Sequence, residues 1–246
     1  SCGWKIGSWG WLWSTMGDAK FDDLKYMVRD AAGAPSHFEK VREVSRFTKI
    51  ISQLEDADSK ILPDSKKEEF VGEARLCRGL TMYYLLNLYG PVPVIVDAKL
   101  LGDTTNESHL VRPDLDVMTQ YITDDLEYAT NHVAEVQQEK GRYTADYARF
   151  CLMRHYLNEG YHMEGYYKKA YDLFKQFHGS YSLYTEGNNP YADQFKVAHK
   201  FNCETIMSVS CSNTATGSGA EGNFNPFSWY SLPWDAAKYD DKGNPT

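Results

Sequence analysis

Apolar residues recur every three to four positions through the middle of this chain, and the period disappears toward both ends. Val41, Val44, Phe47, Ile51 and Leu54 make one stripe, which predicts a helix from about Ser36 to Ser59. Ser36 with Glu39 forms a candidate capping box at its start, and Ser65 with Glu68 forms another after Pro63. The second box opens a longer helix on which Ala74, Cys77, Thr81, Tyr84 and Leu88 are expected to make the buried stripe. That helix should stop at Gly90-Pro91, because glycine favours the turn past a helix end and proline cannot continue it. The following apolar run to Val96 should be extended, since Pro93 biases the residue before it away from helix.

A second pair of helices follows the same logic. Pro113 opens a helix with Leu115, Met118, Ile122, Leu126, Ala129 and Val133 on one face. Gly141 breaks the chain, and Thr144 caps a helix carrying Ala145, Ala148, Leu152 and Tyr156. A further helix holds Tyr167, Ala170, Tyr171, Phe174 and Phe177 and ends near Gly179. Long helices joined pairwise by short turns are the unit of a tetratricopeptide-type repeat, and such pairs stack because none buries both faces alone. The reading is mostly α: helical hairpin repeats with an irregular loop-rich region and a few short strands. Its parts are an aromatic-rich lead at 1–35, repeats at 36–178 and a loop-rich region at 179–246.

The stretch EARLCRGLTMYYLLNLYGPVPVI, from Glu73 to Ile95, carries more than periodicity. It resembles the signature helix of the SusD/RagB family, roughly E-A-R-x-x-R-A-x-x-Y-x-x-L-x-x-x-Y-G-x-V-P-L-I. Glu73, Ala74, Arg75, Arg78, Tyr89, Gly90, Val92, Pro93 and Ile95 match, while Gly79 stands where the family usually has Ala. Val111 to Ala129 resembles the family's next helix, and GRYTADYARFCLMRHYL resembles the one after it, with His155 in place of a small or apolar residue. The successions Tyr181 to Tyr184, Asp193 to Phe195 and Glu204 to Val209 extend the likeness in order to about Ser210.

The resemblance implies a cell-surface protein that binds oligosaccharide for nutrient uptake and is not an enzyme. It implies a SusC-like TonB-dependent transporter as partner, an outer-membrane lipoprotein, and a place in polysaccharide utilisation. The lipidated cysteine of such proteins is expected ahead of this chain and not at Cys2, which no apolar leader precedes. The chain is accordingly expected to be part of a longer protein lacking its C-terminal half. A tetratricopeptide-type scaffold that binds only proteins is the competing reading of the same helices.

Charge and composition narrow the chemistry. The formal net charge is -8, which argues against a nucleic-acid partner. No apolar run approaches the roughly 20 residues that span a bilayer. Five cysteines contain no Cys-x-x-Cys pair, so neither a metal site nor another cofactor is expected. Cys77 and Cys151 read as buried small hydrophobes; Cys203 and Cys211 are free to pair, though nothing in their spacing requires it. Asp124 and Asp125 are adjacent on a helix, so they point apart and read as solvated face charges. Gly217-Ser218-Gly219-Ala220-Glu221-Gly222 matches a dinucleotide fingerprint by letters only, since no helix follows to offer its amides.

Aromatic clusters outside the repeats are the candidate binding residues. Trp9, Trp11 and Trp13 alternate, so an extended segment would present all three on one face. Trp229 and Trp234 sit beside prolines in the late loop region. Sugars offer flat C–H faces that pack on such rings, and indole N–H groups meet hydroxyls. Family members use aromatics from these same two regions, so the resemblance points to Trp9, Trp11, Trp13, Trp229 and Trp234. The helical tyrosines Tyr83, Tyr84, Tyr89, Tyr156 and Tyr171 are expected in the core or between helices.

Overall fold

A 3-10 turn at His37–Lys40 leads directly into α1, Val41–Glu55, whose Val44, Thr48 and Ile51 are buried at helical spacing. The computed structural model describes residues 37–102, 111–138 and 141–208. Four more helices of at least two turns follow: α2 (Asp64–Tyr89), α3 (Leu115–His132), α4 (Ala145–Glu159) and α5 (Tyr166–Phe174). A single turn, α6, spans Pro190–Asp193. Each helix packs on the one before and the one after it, from α1 to α5, which is the stacking of helical hairpins. No segment among the described residues forms a strand.

The helix ends follow local chemistry. Thr144 caps α4 as expected, its hydroxyl accepting from the Tyr147 amide at 3.3 Å. The Ser65–Glu68 box does not form. Pro63 occupies the N-cap position, and Asp64 in the first turn supplies the negative charge that a helix start favours. Ser59 Oγ donates to that carboxylate at 2.6 Å. At the other end Gly90 adopts φ 70°, a left-handed value that turns the chain sharply out of α2.

α2 lies between α1 and α3 and so buries two sides, which a single-stripe expectation misses. Leu76, Arg78, Gly79, Met82, Leu85 and Leu86 are its buried residues in the signature stretch besides Ala74. Leu88, expected inside, is 44% exposed. Gly72 and Gly79 are two turns apart on the side facing α3. A Cβ on Gly79 would stand 3.0 Å from Leu126 Cδ2, and one on Gly72 would stand 3.2 Å from His132 Cβ. Their lack of side chains is what allows α2 and α3 to come this close.

α3 and α4 match their stripes closely. Met118, Ile122, Leu126 and Ala129 are fully buried, with Val133 beside them, and so are Ala148, Leu152 and Tyr156 across the interface. α5 is rotated from expectation. Tyr166, Ala170 and Leu173 face inward, whereas Tyr167, Tyr171 and Phe174 are exposed. Both sets fit a helical period, so spacing alone does not choose between them. Tyr171 is therefore a surface residue, while Tyr156 is core and Tyr83 and Tyr89 pack half-buried against it.

Asp125 also departs from expectation. It is buried, and Arg78 grips it through Nε and Nη2, each at 2.7 Å. Arg78 Nη1 reaches Thr48 Oγ1 on α1 at 2.9 Å and the Val96 carbonyl at 3.2 Å. Thr48 in turn donates to the Ile95 carbonyl at 2.7 Å. One guanidinium thus joins α1, α2, α3 and the extended exit, and gives the exit's backbone acceptors the partners that a strand would otherwise supply.

Candidate functional site

The five tryptophans expected to bind ligand, Trp9, Trp11, Trp13, Trp229 and Trp234, lie outside the described residues. Within those residues a cavity of about 240 Å³ opens where α4 begins. Its walls come from the segment after α3, the turn at Gly141 and Arg142, the segment after α5, and the returning chain at Phe201 and Thr205 to Ser208. Gly141 takes φ 94° and sits under the returning chain, where a Cβ would meet the Ser208 carbonyl at 3.4 Å.

Asp146, in the first turn of α4, organises this wall. Its carboxylate accepts from the backbone amides of His178 and Gly179 at 2.8 Å each, from Tyr181 Oη at 2.9 Å and from Arg149 Nη1 at 2.8 Å. Arg149 also donates to both oxygens of Glu135. Burial pushes the Asp146 carboxyl up, but these donors more than offset it and leave it below the usual carboxylate range. The Arg149 hydrogen bond holds Glu135 low in the same way. Burial together with the facing Asp146 pushes the Tyr181 phenol up to about 12. On the opposite wall Arg142 Nη2 meets Glu73 at 2.5 Å, and Gln137 donates to the Tyr143 carbonyl at 3.0 Å.

These polar groups satisfy one another, so the cavity offers a fixed hydrogen-bonding frame and not an activated nucleophile beside a base. Its volume lies just under the usual range for small-molecule pockets and has room for about one sugar ring. Sequence reasoning missed it, because Asp146 and its partners at 178–181 are far apart in the chain and no motif links them. The periodic signal that placed Asp146 in the first turn of α4 was the available clue.

A second polar cluster is internal. His155 is fully buried, and its Nε2 lies 3.0 Å from Thr123 Oγ1 and 3.2 Å from the Thr119 carbonyl. Nδ1 has no partner among the described residues, which is tolerable only for the unprotonated nitrogen, so Nε2 carries the proton. Burial accordingly lowers the His155 pKa to about 4. His162 instead meets Asp116 and Glu159, each at 2.9 Å. Among the described residues no group of His, Cys, Asp and Glu is arranged to hold a metal ion. Cys77, Cys151 and Cys203 are free thiols, with Cys151 buried and Cys203 exposed.

No family model matches the chain. A SusD-like protein of Bacteroides ovatus is 30% identical over 184 residues, which cover 72% of this chain and 32% of that protein. The chain spans about a third of the length of the curated relatives it matches. Among solved structures, a laminarin-binding SusD-like protein superposes with a TM-score of 0.56 at 22% identity, over 71% of this chain and 37% of its own. A crystal structure with a xylogluco-oligosaccharide gives 0.53 at 26% identity, over 73% and 35%.

Proposed function

The chain is SusD-like over its helical region, and on that premise we propose that it captures oligosaccharides at the outer-membrane surface for a SusC-like TonB-dependent transporter. The observation that carries this reading is the superposition of its helices on a laminarin-binding protein and on a structure holding a xylogluco-oligosaccharide. The geometry fits such work. Stacked hairpins pinned by Arg78 and Asp125 form a rigid frame, and a preformed frame spares the ordering cost of binding.

Binding on this reading needs no bond to be broken. Tryptophans at Trp9, Trp11, Trp13, Trp229 and Trp234 supply the stacking surface, and hydroxyl partners fix orientation. No helix among the described residues is long and apolar enough to cross a membrane. The test is native electrophoresis of this chain through gels containing laminarin, xyloglucan or starch. Slowed migration in at least one is expected, and unchanged mobility in every gel would overturn the reading.

The exposed aromatic edge of α5, with Tyr167, Tyr171 and Phe174 each more than half exposed, favours one alternative. A purely protein-binding helical scaffold would present such an edge to a partner. It predicts unchanged mobility in all glycan gels together with stable association with another protein.

A further inference from the structure

Eight arginines fall within the described residues; six lie against a carboxylate, and Arg112 donates to the Tyr89 and Pro91 carbonyls. Arg154 is the exception. Its guanidinium stands 5.7 Å from the centre of the Tyr83 ring and 5.6 Å from that of Phe150, with no acidic partner among the described residues. The rings come from α2 and α4 and are half-buried against the core, so they form a fixed shelf under an exposed cation. Asn158, one turn along α4, donates to Tyr83 Oη at 2.6 Å and completes the lip. Tyr161, 71% exposed, comes three residues later, with Gly160 still in right-handed geometry.

The charge around this shelf is as telling as its shape. In a chain of net charge -8, residues 80–89 of α2 and 147–158 of α4 contain no Asp or Glu. The nearest acid along α4, Glu159, is turned away and engaged by His162. A stacked guanidinium keeps its N–H edge free while losing little freedom on binding, which suits it to grip a planar carboxylate through two parallel hydrogen bonds. Helical rise sets Asn158 roughly 6 Å along the axis from Arg154, and Tyr161 follows just past the C-cap Gly160, its ring 4.6 Å from that of His162. Cation, amide and aromatic ring therefore follow one another in a row, in the order needed for a carboxylate, hydroxyls and a sugar face.

We infer that the shelf between α2 and α4 is a subsite for a uronic-acid residue of an acidic oligosaccharide. The carboxylate sits on Arg154, neighbouring hydroxyls meet Asn158, and the next sugar ring packs on Tyr161. The inference rests on the glycan-capture reading and adds to it a charged ligand class and a location on the described helices α2 and α4.

The experiment compares trigalacturonate with the neutral trisaccharide maltotriose by isothermal titration calorimetry on the full chain. Trigalacturonate should bind at least about tenfold more tightly, and the preference should shrink with added salt. Arg154→Gln should abolish the preference and leave the melting temperature and the mobility in neutral-glycan gels unchanged. Asn158→Ala should weaken trigalacturonate binding by a smaller factor. Equal binding of the two sugars, or a preference that survives Arg154→Gln, would overturn the inference. So would displacement of trigalacturonate by a short polyglutamate peptide at similar concentration, which would mark the shelf as a docking point for acidic protein. Retention in a laminarin gel without uronate binding sinks this inference alone, whereas no retention in any gel sinks the broader reading.

Discussion

Arg78 and Asp125 stand 47 residues apart in sequence and meet through two parallel hydrogen bonds of 2.7 Å, with side-chain exposures of 8% and 2%. Burying a charge pair costs desolvation on both sides, and what makes it tolerable is that each charge compensates the other. Removing one partner leaves the other stranded. Arg78→Met or Asp125→Asn is expected to cost about 3–5 kcal/mol in urea unfolding. Replacing both with apolar residues of similar volume should restore most of that. A double-variant loss equal to the sum of the two single losses would show that the pair is not coupled.

His155 makes stability depend on acidity. Its folded pKa near 4 lies below the ordinary value of 6.5, so between those values the unfolded chain takes up a proton that the folded one refuses. Its contribution is fully present above pH 6.5 and is lost as pH falls toward 4, by about 3 kcal/mol in all. His155→Gln keeps a donor toward Thr119 and removes the titration. Denaturation midpoints measured from pH 7 to 4.5 should fall for the parent chain and fall less for the variant.

The glycines of α2 separate two kinds of constraint. At Gly90 nothing lies within 4 Å of an added Cβ, so Gly90→Ala strains only the backbone, at φ 70° and ψ -165°, and should cost about 1–3 kcal/mol. At Gly79 the backbone is ordinary helix and the neighbour is Leu126. Gly79→Val must push α3 away and should cost about 1–3 kcal/mol from overpacking. Leu126→Ala should relieve the second penalty in a double-variant cycle and leave the first unchanged.

Trp11→Ala and Trp13→Ala test the stacking surface of the proposed function. Each is expected to abolish retention in a glycan gel without lowering the melting temperature. A large loss of stability with retention intact would assign these rings to packing.

Much of the fold was legible because burial and period coincide. Met118, Ile122, Leu126 and Ala129 are all buried, and the apolar pattern announces that face. The pattern became ambiguous where a helix has two buried sides, as in α2, or aromatics on both, as in α5. Asp125 was misread for a different reason. An acidic residue on a helix is ordinarily solvated, and only its meeting with Arg78 across the α2–α3 interface shows otherwise. The cavity at the start of α4 and the shelf under Arg154 were likewise invisible, since each depends on side chains that converge from separate helices or loops. The family likeness carried by Glu73 to Ile95 was the strongest signal available. Its Arg78 turns out to be the tie that holds the exit segment.

Gathering the amides of His178 and Gly179 on Asp146 has a kinetic consequence. Neither amide can exchange its hydrogen with solvent until that carboxylate lets go, and the same carboxylate is held by Arg149 and Tyr181. Local fraying beyond α5 is thereby tied to the opening of the first turn of α4. Deuterium uptake at these two positions should follow the slow rhythm of the helices and not the fast one of their neighbours in the loop.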